Sequence, residues 1–292
     1  MLGSEEAWQG DQCCREQARA ACHEADVRKR GVSSPSSPGG VDRALRRRVL
    51  VIAVGLHLEK PVHGAEGERP DAHAQKYLRG QRQPEWSDME WQIRDWLYFT
   101  WLSGDFNVEQ HIHSLDKMAW AMRDEYPVKA TGVGGRQVRT APDYGHIFDH
   151  HSVVYEYGNV IKAFSQCRQQ NGCANDVSDH IMGTKGACDV MKHVIKGEKP
   201  WRFESQKVKG DMYQNEHIEL IASIRAGKPI NNGNYMSKST LMAIMGRMAT
   251  YTGKTITWNM AMNSKEDLSP PKYEFGSLAV PPVAMPGVTK FV

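Results

Sequence analysis

From Met1 to Lys76 the chain carries one aromatic residue, Trp8, and that poverty constrains the fold more than any motif does. A segment with so few aromatic and branched apolar side chains buries too little surface to offset the entropy of ordering it. Residues 1–82, which include SSPSSPGG at 33–40, are therefore expected to be a poorly ordered or remnant segment, and residues 83–292 to hold the folded domain. One run stands out in the first part: VLVIAVGLHL at 49–58, behind the basic RALRRR. It is too short to span a bilayer, and no small-residue cleavage site follows before Glu59 and Lys60. We read it as a buried strand; a signal sequence behind a misassigned start codon is the alternative.

The texture changes at Trp86. Ser87 stands where an N-cap belongs before DMEWQIRDWLYFTWL, which predicts a helix over about 88–102. Trp91, Trp96 and Trp101 recur every five residues, which does not keep one helical stripe, so their rings are expected on different faces. A second helix is predicted over about 108–123. Strand patterns follow: one at 126–140, a hairpin at 148–169 turned at Gly158-Asn159, a second at 176–191 turned at Thr184-Lys185-Gly186, and a short strand at Trp201–Phe203. The helical period returns at 215–227, with Ile218, Ile221 and Ile224 on one face and Gly227 and Pro229 ending it. A last helix at 237–254 closes on Gly253, a strand follows at Thr255–Trp258, and the tail from Pro270 is proline-rich and extended. Two helices, several antiparallel strands and two further helices make an α+β domain.

Charged residues are 24% of the chain and net charge is only +3, so composition calls for neither nucleic acid nor a membrane surface as a partner. The six cysteines fall into two groups, Cys13, Cys14 and Cys22, then Cys167, Cys173 and Cys188, without a CxxC pair. Reduced thiols and a cytoplasmic location are the expectation.

The densest cluster of ionisable side chains is EQHIHSLD, Glu109 to Asp116. On one helix Glu109, His113 and Asp116 share a stripe, beside an apolar stripe of Ile112, Leu115, Ala119 and Met122. A carboxylate one turn before a histidine can accept its ring N–H, fix the tautomer and raise its basicity, which suits acid–base catalysis. A capped, half-buried helix turn is the plain alternative. A metal site is the third reading, with His146, His150, His151 and His180 as further ligands. Helical spacing turns the His111 and His113 rings apart, and the other histidines show no ligand spacing. In GVGGRQVRT the glycines are read as turn residues, and Arg136 and Arg139 as able to hold a hydroxyl-rich or anionic ligand. His150 or His151, on opposite sides of a strand start, can reach a pocket.

As an ordered set, EQHIHSLD, GGRQVRT, FDHHSVVYEY, FSQCR, GTKGACDV and KSTLMAIMGRMATYTGKTITW resemble the substrate-binding domain of the Gfo/Idh/MocA oxidoreductases, and most closely a planctomycete-type bacterial subgroup. The resemblance runs from Trp86 to the C-terminus. It implies a mostly antiparallel open sheet with helices on one face, behind an N-terminal Rossmann domain that binds NAD or NADP. It also implies oxidation of a sugar or polyol hydroxyl; with the Rossmann partner missing, an exposed sheet face is expected, which predicts a homo-oligomer formed through that face. By resemblance His113 is the acid/base, Glu109 (where the family usually has Asp) and Asp116 orient substrate or histidine, and Lys60 matches the catalytic lysine of an E-K-P motif. Arg136 and His150 are candidate substrate contacts. The chain departs from the family in having no GxGxxG and only about 25 residues between Pro61 and Trp86, so most of the Rossmann domain is expected to be missing. A non-catalytic sugar-binding or oligomerisation remnant is the competing reading, and a histidine-rich metal-dependent hydrolase or isomerase the third.

Overall fold

The structure is a computed structural model that describes residues 51–57, 82–158, 160–203 and 211–292. Its frame is one sheet of nine strands: β1 Val51–His57, β2 Lys129–Gly135, β3 His150–Glu156, β4 Lys162–Arg168, β5 Asp179–Gly183, β6 Gly186–Asp189, β7 Val194–Gly197, β8 Trp201–Arg202 and β9 Ile256–Thr257. They lie in the order β8-β7-β6-β5-β1-β4-β3-β2-β9. Every neighbouring pair is antiparallel except β1 with β4. The apolar run at 49–58 thus supplies a strand, and that strand sits in mid-sheet. By sequence it belongs to the aromatic-poor segment, yet it is hydrogen-bonded between β4 and β5.

Both predicted hairpins form, β3–β4 and β5–β6, the second turning through Thr184 and Lys185. Alternation decides their faces. His151, Val153 and Tyr155 of β3 and Ala163, Ser165 and Cys167 of β4 are buried, while the residues between them are half-buried or exposed. On the buried face lie two helices, α4 (Ile112–Ala121) and α6 (Gly233–Thr252), whose Leu115, Met118, Met242, Met245 and Met248 form the main core with Val153 and Tyr155. Each such buried side chain contributes about 1.5–3 kcal/mol of transfer free energy. Gly246 permits the close approach of α6, since a Cβ there would stand 2.2 Å from the Tyr155 hydroxyl. The opposite face is open among the described residues and presents Val133, Phe164 and Met182. The architecture is the expected α+β one, with a mostly antiparallel open sheet and helices on one face.

Three elements differ from the sequence reading. The helix expected over 88–102 is three short pieces: α1 (Asp88–Arg94), a 3-10 turn (Trp96–Tyr98) and α2 (Thr100–Ser103). Ser87 caps α1 as expected, its Oγ accepting from the Glu90 N–H. The breaks at Asp95 and Phe99 let tryptophans five residues apart reach one cluster: Trp91, Trp96 and Trp101 all pack with Leu97, Phe99 and Phe106. The strand at 255–258 shortens to β9, because the Thr257 side chain caps a following helix, α7 (Trp258–Met262). The glycines of β2 are strand residues rather than turn residues. A Cβ on Gly132 or Gly134 would approach Thr250 of α6 to 3.0 or 3.2 Å, so they let that helix lie close on the sheet.

Helix α5 (Met212–Arg225) forms where the period placed it, but none of its residues is buried; the face of Ile218, Ile221 and Ile224 is exposed. The C-terminal tail returns to α1, where the Asp88 carboxylate accepts from Ser277 and the Leu278 N–H and Gln92 donates to the Leu278 carbonyl. Among the described residues no helix is long and apolar enough to cross a membrane.

Candidate functional site

The EQHIHSLD segment is not one helix. Helix α3 (Phe106–Glu109) ends after a single turn, Gln110 and His111 form a turn, and α4 starts at Ile112. The His111 N–H reaches back five residues to the Phe106 carbonyl, a π-type widening that shifts the phase of everything after it. The expected common stripe of Glu109, His113 and Asp116 is therefore broken: His113 and Asp116 share α4, and Glu109 sits on the helix before it. Tertiary anchoring holds the turn open. His111 is fully buried, its Nε2 at 2.7 Å from Ser165 Oγ on β4. Gln110 accepts from the Gln169 side chain, which in turn accepts from Arg139. Of the two histidines in the motif, one is thus a buried anchor, and the other, His113, is exposed.

Upstream, Asp105 holds the start of this segment. It is fully buried and has φ +82° and ψ 154°, a region that residues with a side chain rarely occupy. Its Oδ1 accepts from the Asn107 N–H (3.2 Å) and pairs with His151 Nε2 (3.1 Å). Its Oδ2 accepts from the Phe148 N–H (3.1 Å) and the Tyr251 hydroxyl (2.5 Å). One carboxylate therefore caps α3 and ties it to the start of β3 and the end of α6. Burial alone would raise its pKa; the His151 charge and the hydrogen bonds from His151, Tyr251 and Phe148 outweigh that and hold it below the usual carboxylate value. Nearby, burial lowers His146 to about 4, the Asp105 charge opposing this and the Arg136 and Arg247 charges adding to it. His146 Nε2 lies 2.8 Å from the Thr100 hydroxyl.

A second carboxylate hub organises the loop after β2. Asp149 Oδ2 accepts from the Gln137, Val138 and Arg139 N–H groups, and Oδ1 lies 2.7 Å from His150 Nδ1. Burial would raise its pKa, but the His150 hydrogen bond and these backbone donors lower it. The Arg136 guanidinium donates to the Arg139, Ala141 and Gly145 carbonyls, so it shapes the same loop. His150 projects on the open side of β3, away from the helical layer that carries His113 and Asp116. The five candidate residues that the structure describes therefore do not form one constellation. Lys60 lies outside the described residues, and Glu109, His113 and Asp116 cluster around the start of α4. Arg136 and His150 belong to the Asp149 loop. No group of three or more histidine, cysteine, aspartate or glutamate residues converges in metal-binding geometry among the described residues.

Sequence reasoning missed Asp105, Tyr251 and Ser165. Each looks ordinary in its own segment, and only the fold brings them to His151 and His111.

No family model matches the chain. No curated protein matches it either. Solved structures do: an oxidoreductase from Thermotoga maritima (13% identity, TM-score 0.47, 85% of this chain and 60% of that one), and the aldose-aldose oxidoreductase from Caulobacter crescentus complexed with glycerol (16%, TM-score 0.46, 72% and 55%). A third is an oxidoreductase from Agrobacterium radiobacter in complex with NAD+, L-tartaric acid and magnesium (11%, TM-score 0.43, 84% and 61%). The chain spans only about three fifths of the length of such proteins.

Proposed function

We propose that residues 82–292 with β1 form the substrate half of an oxidoreductase acting on a sugar or polyol hydroxyl. In this reading His113 takes or gives the hydroxyl proton, Glu109 orients substrate or histidine from the adjoining turn, and Asp116 holds a neighbouring hydroxyl. The observation that carries the reading is the position of β1. It runs parallel to β4, with His57 paired to Cys167, and so ends at the sheet edge where Gln169 of the next segment grips Gln110 and α4 begins. The E-K-P motif, Glu59 to Pro61, follows His57 by two residues in sequence and lies outside the described residues. Arg136 and His150 stay out of this set, the first bonded to three carbonyls and the second on the other face.

NAD or NADP is the cofactor that the resemblance implies. The described residues offer no cradle for its pyrophosphate. The glycines of GVGG lie in a paired strand packed under α6, not at the start of a helix, so the hydrogen-bond donors that hold a phosphate are not arrayed there. We assign these residues substrate binding and proton transfer, and derive no redox step from them. The competing reading is a polyol-binding or oligomerisation module without redox chemistry of its own. Titration with NADH and NADPH separates the two. Fluorescence enhancement at micromolar cofactor supports the complete enzyme, and none up to about 1 mM, the range of weak binding, supports the module. Polyol binding, measured by saturation-transfer NMR with myo-inositol, glycerol and D-glucose, tests what both share. Loss of signal in His113→Ala and Asp116→Asn is expected, and no signal with the wild-type chain refutes both. We also infer self-association through the open face of Val133, Phe164 and Met182.

A further inference from the structure

Asp149 and His150, from the FDHH stretch, stay outside the polyol site, and their geometry suits a separate task. The Asp149 carboxylate is fully buried. Three backbone N–H groups hold its Oδ2, and His150 Nδ1 lies 2.7 Å from its Oδ1. Burial works against its charge, but these hydrogen bonds outweigh it and keep the carboxyl ionised. An ionised carboxylate has no proton to give, so Nδ1 is the donor. The tautomer of His150 is thereby fixed, with the lone pair of the neutral ring on Nε2. That nitrogen has no hydrogen-bond partner among the described residues, and the side chain is 36% exposed.

Two neighbours complete the place. On β2 the residue opposite His150 is Gly135, and on β4 it is Arg168, so the three stand in a row across the open face. Side chains directly opposite on adjacent strands have Cβ atoms about 4.5–5.5 Å apart. A Cβ on Gly135 would lie 3.4 Å from His150 Cε1 and 3.6 Å from Nε2, so the glycine leaves that edge of the ring uncovered. The Arg168 guanidinium donates from Nη2 to the Ala174 carbonyl (3.1 Å) at the surface and enters no ion pair among the described residues. Its Nε is closed off from solvent, which leaves the terminal nitrogens to meet a ligand. The row therefore offers a positive charge with directed N–H donors beside a ring nitrogen that can take a proton or give one. A phosphoryl group complements both. Its charged oxygens accept from the guanidinium. Its second ionisation falls near pH 6, so at neutral pH it can bring one proton and share it with a ring nitrogen. A sulfate or a carboxylate brings no proton at neutral pH and meets the Nε2 lone pair with another acceptor.

We propose that His150 and Arg168, with the space left by Gly135, form a site for phosphate or a small phosphate monoester on the open face of the sheet. Arg168 holds the charged oxygens, Nε2 shares the remaining proton, and Asp149 is the positioning residue behind the ring. The site is separate from the one around His113 and does not depend on it.

The test titrates the full chain with inorganic phosphate and, in parallel, with glycerol 3-phosphate, following the histidine ring signals by NMR. About 0.15 M NaCl screens unspecific attraction between exposed charges. Saturable shifts of the His150 ring signals are expected with either probe, and the tighter of the two names the form of the ligand. Sodium sulfate and acetate should bind at least about 10-fold more weakly than phosphate, since the shared proton is missing. His150→Gln and Arg168→Met should each weaken phosphate binding about 10-fold, the worth of a hydrogen bond to a charged group. Gly135→Ala, which crowds the ring edge, should weaken it as well. Equal binding of sulfate and phosphate overturns the site, because no proton is then shared. Undiminished phosphate binding in both His150→Gln and Arg168→Met also overturns it. So does the absence of any shift of the His150 signals in the wild-type chain up to about 50 mM phosphate, a result that needs no variant to fold.

Discussion

Replacing Asp105 by Asn changes one oxygen to an amide nitrogen and keeps the shape, so it isolates what the carboxylate does. Four donors converge on Asp105: the Asn107 and Phe148 N–H groups, the Tyr251 hydroxyl and the His151 ring. An asparagine accepts only on its oxygen. If the amide NH2 takes the Oδ2 place, Tyr251 can turn to accept from it, but the Phe148 N–H is left facing another donor. If it takes the Oδ1 place, His151 can change tautomer, but the Asn107 N–H is orphaned. Either way at least one buried backbone donor is unsatisfied, at about 1–3 kcal/mol, and the charge-assisted strength of the remaining bonds is lost. We expect a destabilisation of about 3 kcal/mol, close to that of breaking a buried charge pair. Asp and Asn have the same shape at Cβ and Cγ, so the backbone strain at φ +82° is common to both and does not confound the comparison. The assay is urea unfolding followed by tryptophan fluorescence, reading the midpoint at constant slope. Because the native pKa lies below the unfolded one, the Asp105 contribution is present above the unfolded value and is lost as pH falls through the folded one. Asp105→Asn should flatten that acid limb. A loss under about 1 kcal/mol with an unchanged slope refutes the hub, because then the four contacts hold without the charge.

Other outcomes follow from the same geometry. Ser165→Ala removes the partner of buried His111 and should cost about 1–3 kcal/mol in urea, together with weaker polyol binding if the turn positions His113. His113→Ala, at an exposed position, should change stability by less than about 0.5 kcal/mol while abolishing polyol binding. His146 is held neutral by burial, so its contribution is full above the unfolded pKa of 6.5 and disappears as pH falls toward about 4; His146→Gln should remove that part of the acid dependence in pH-dependent melting. Phe164→Glu on the open face should shift the chain toward monomer in light scattering with little loss of melting temperature.

Local pattern made much of the fold legible. The alternation in HHSVVYE and KAFSQCR set both the hairpin and its faces, Ser87 announced the cap of α1, and Gly227 and Gly253 closed α5 and α6 with φ +67° and +69°. These features follow from rules that act over two to five residues, so the sequence alone carries them. The order of motifs from Trp86 onward is also where the proposal of a polyol site around His113 started.

What the sequence could not give is everything that depends on residues meeting from afar. Period alone ran one helix from 108 to 123. The tertiary bond from His111 to Ser165, 54 residues on, widened the backbone there and separated Glu109 from the stripe of His113. Asp105, His151 and Tyr251 meet across 46 and 146 residues. No spacing encodes that meeting, because a buried carboxylate takes its donors from whichever segments the core packs against it. The glycines of β2 read as turn residues until α6 was seen to lie on them. The run at 49–58 read as a buried strand, but its neighbours β4 and β5 came only from the fold. Sequence named the elements and the ionisable residues; packing decided which histidine of the motif anchors the turn and which stays exposed.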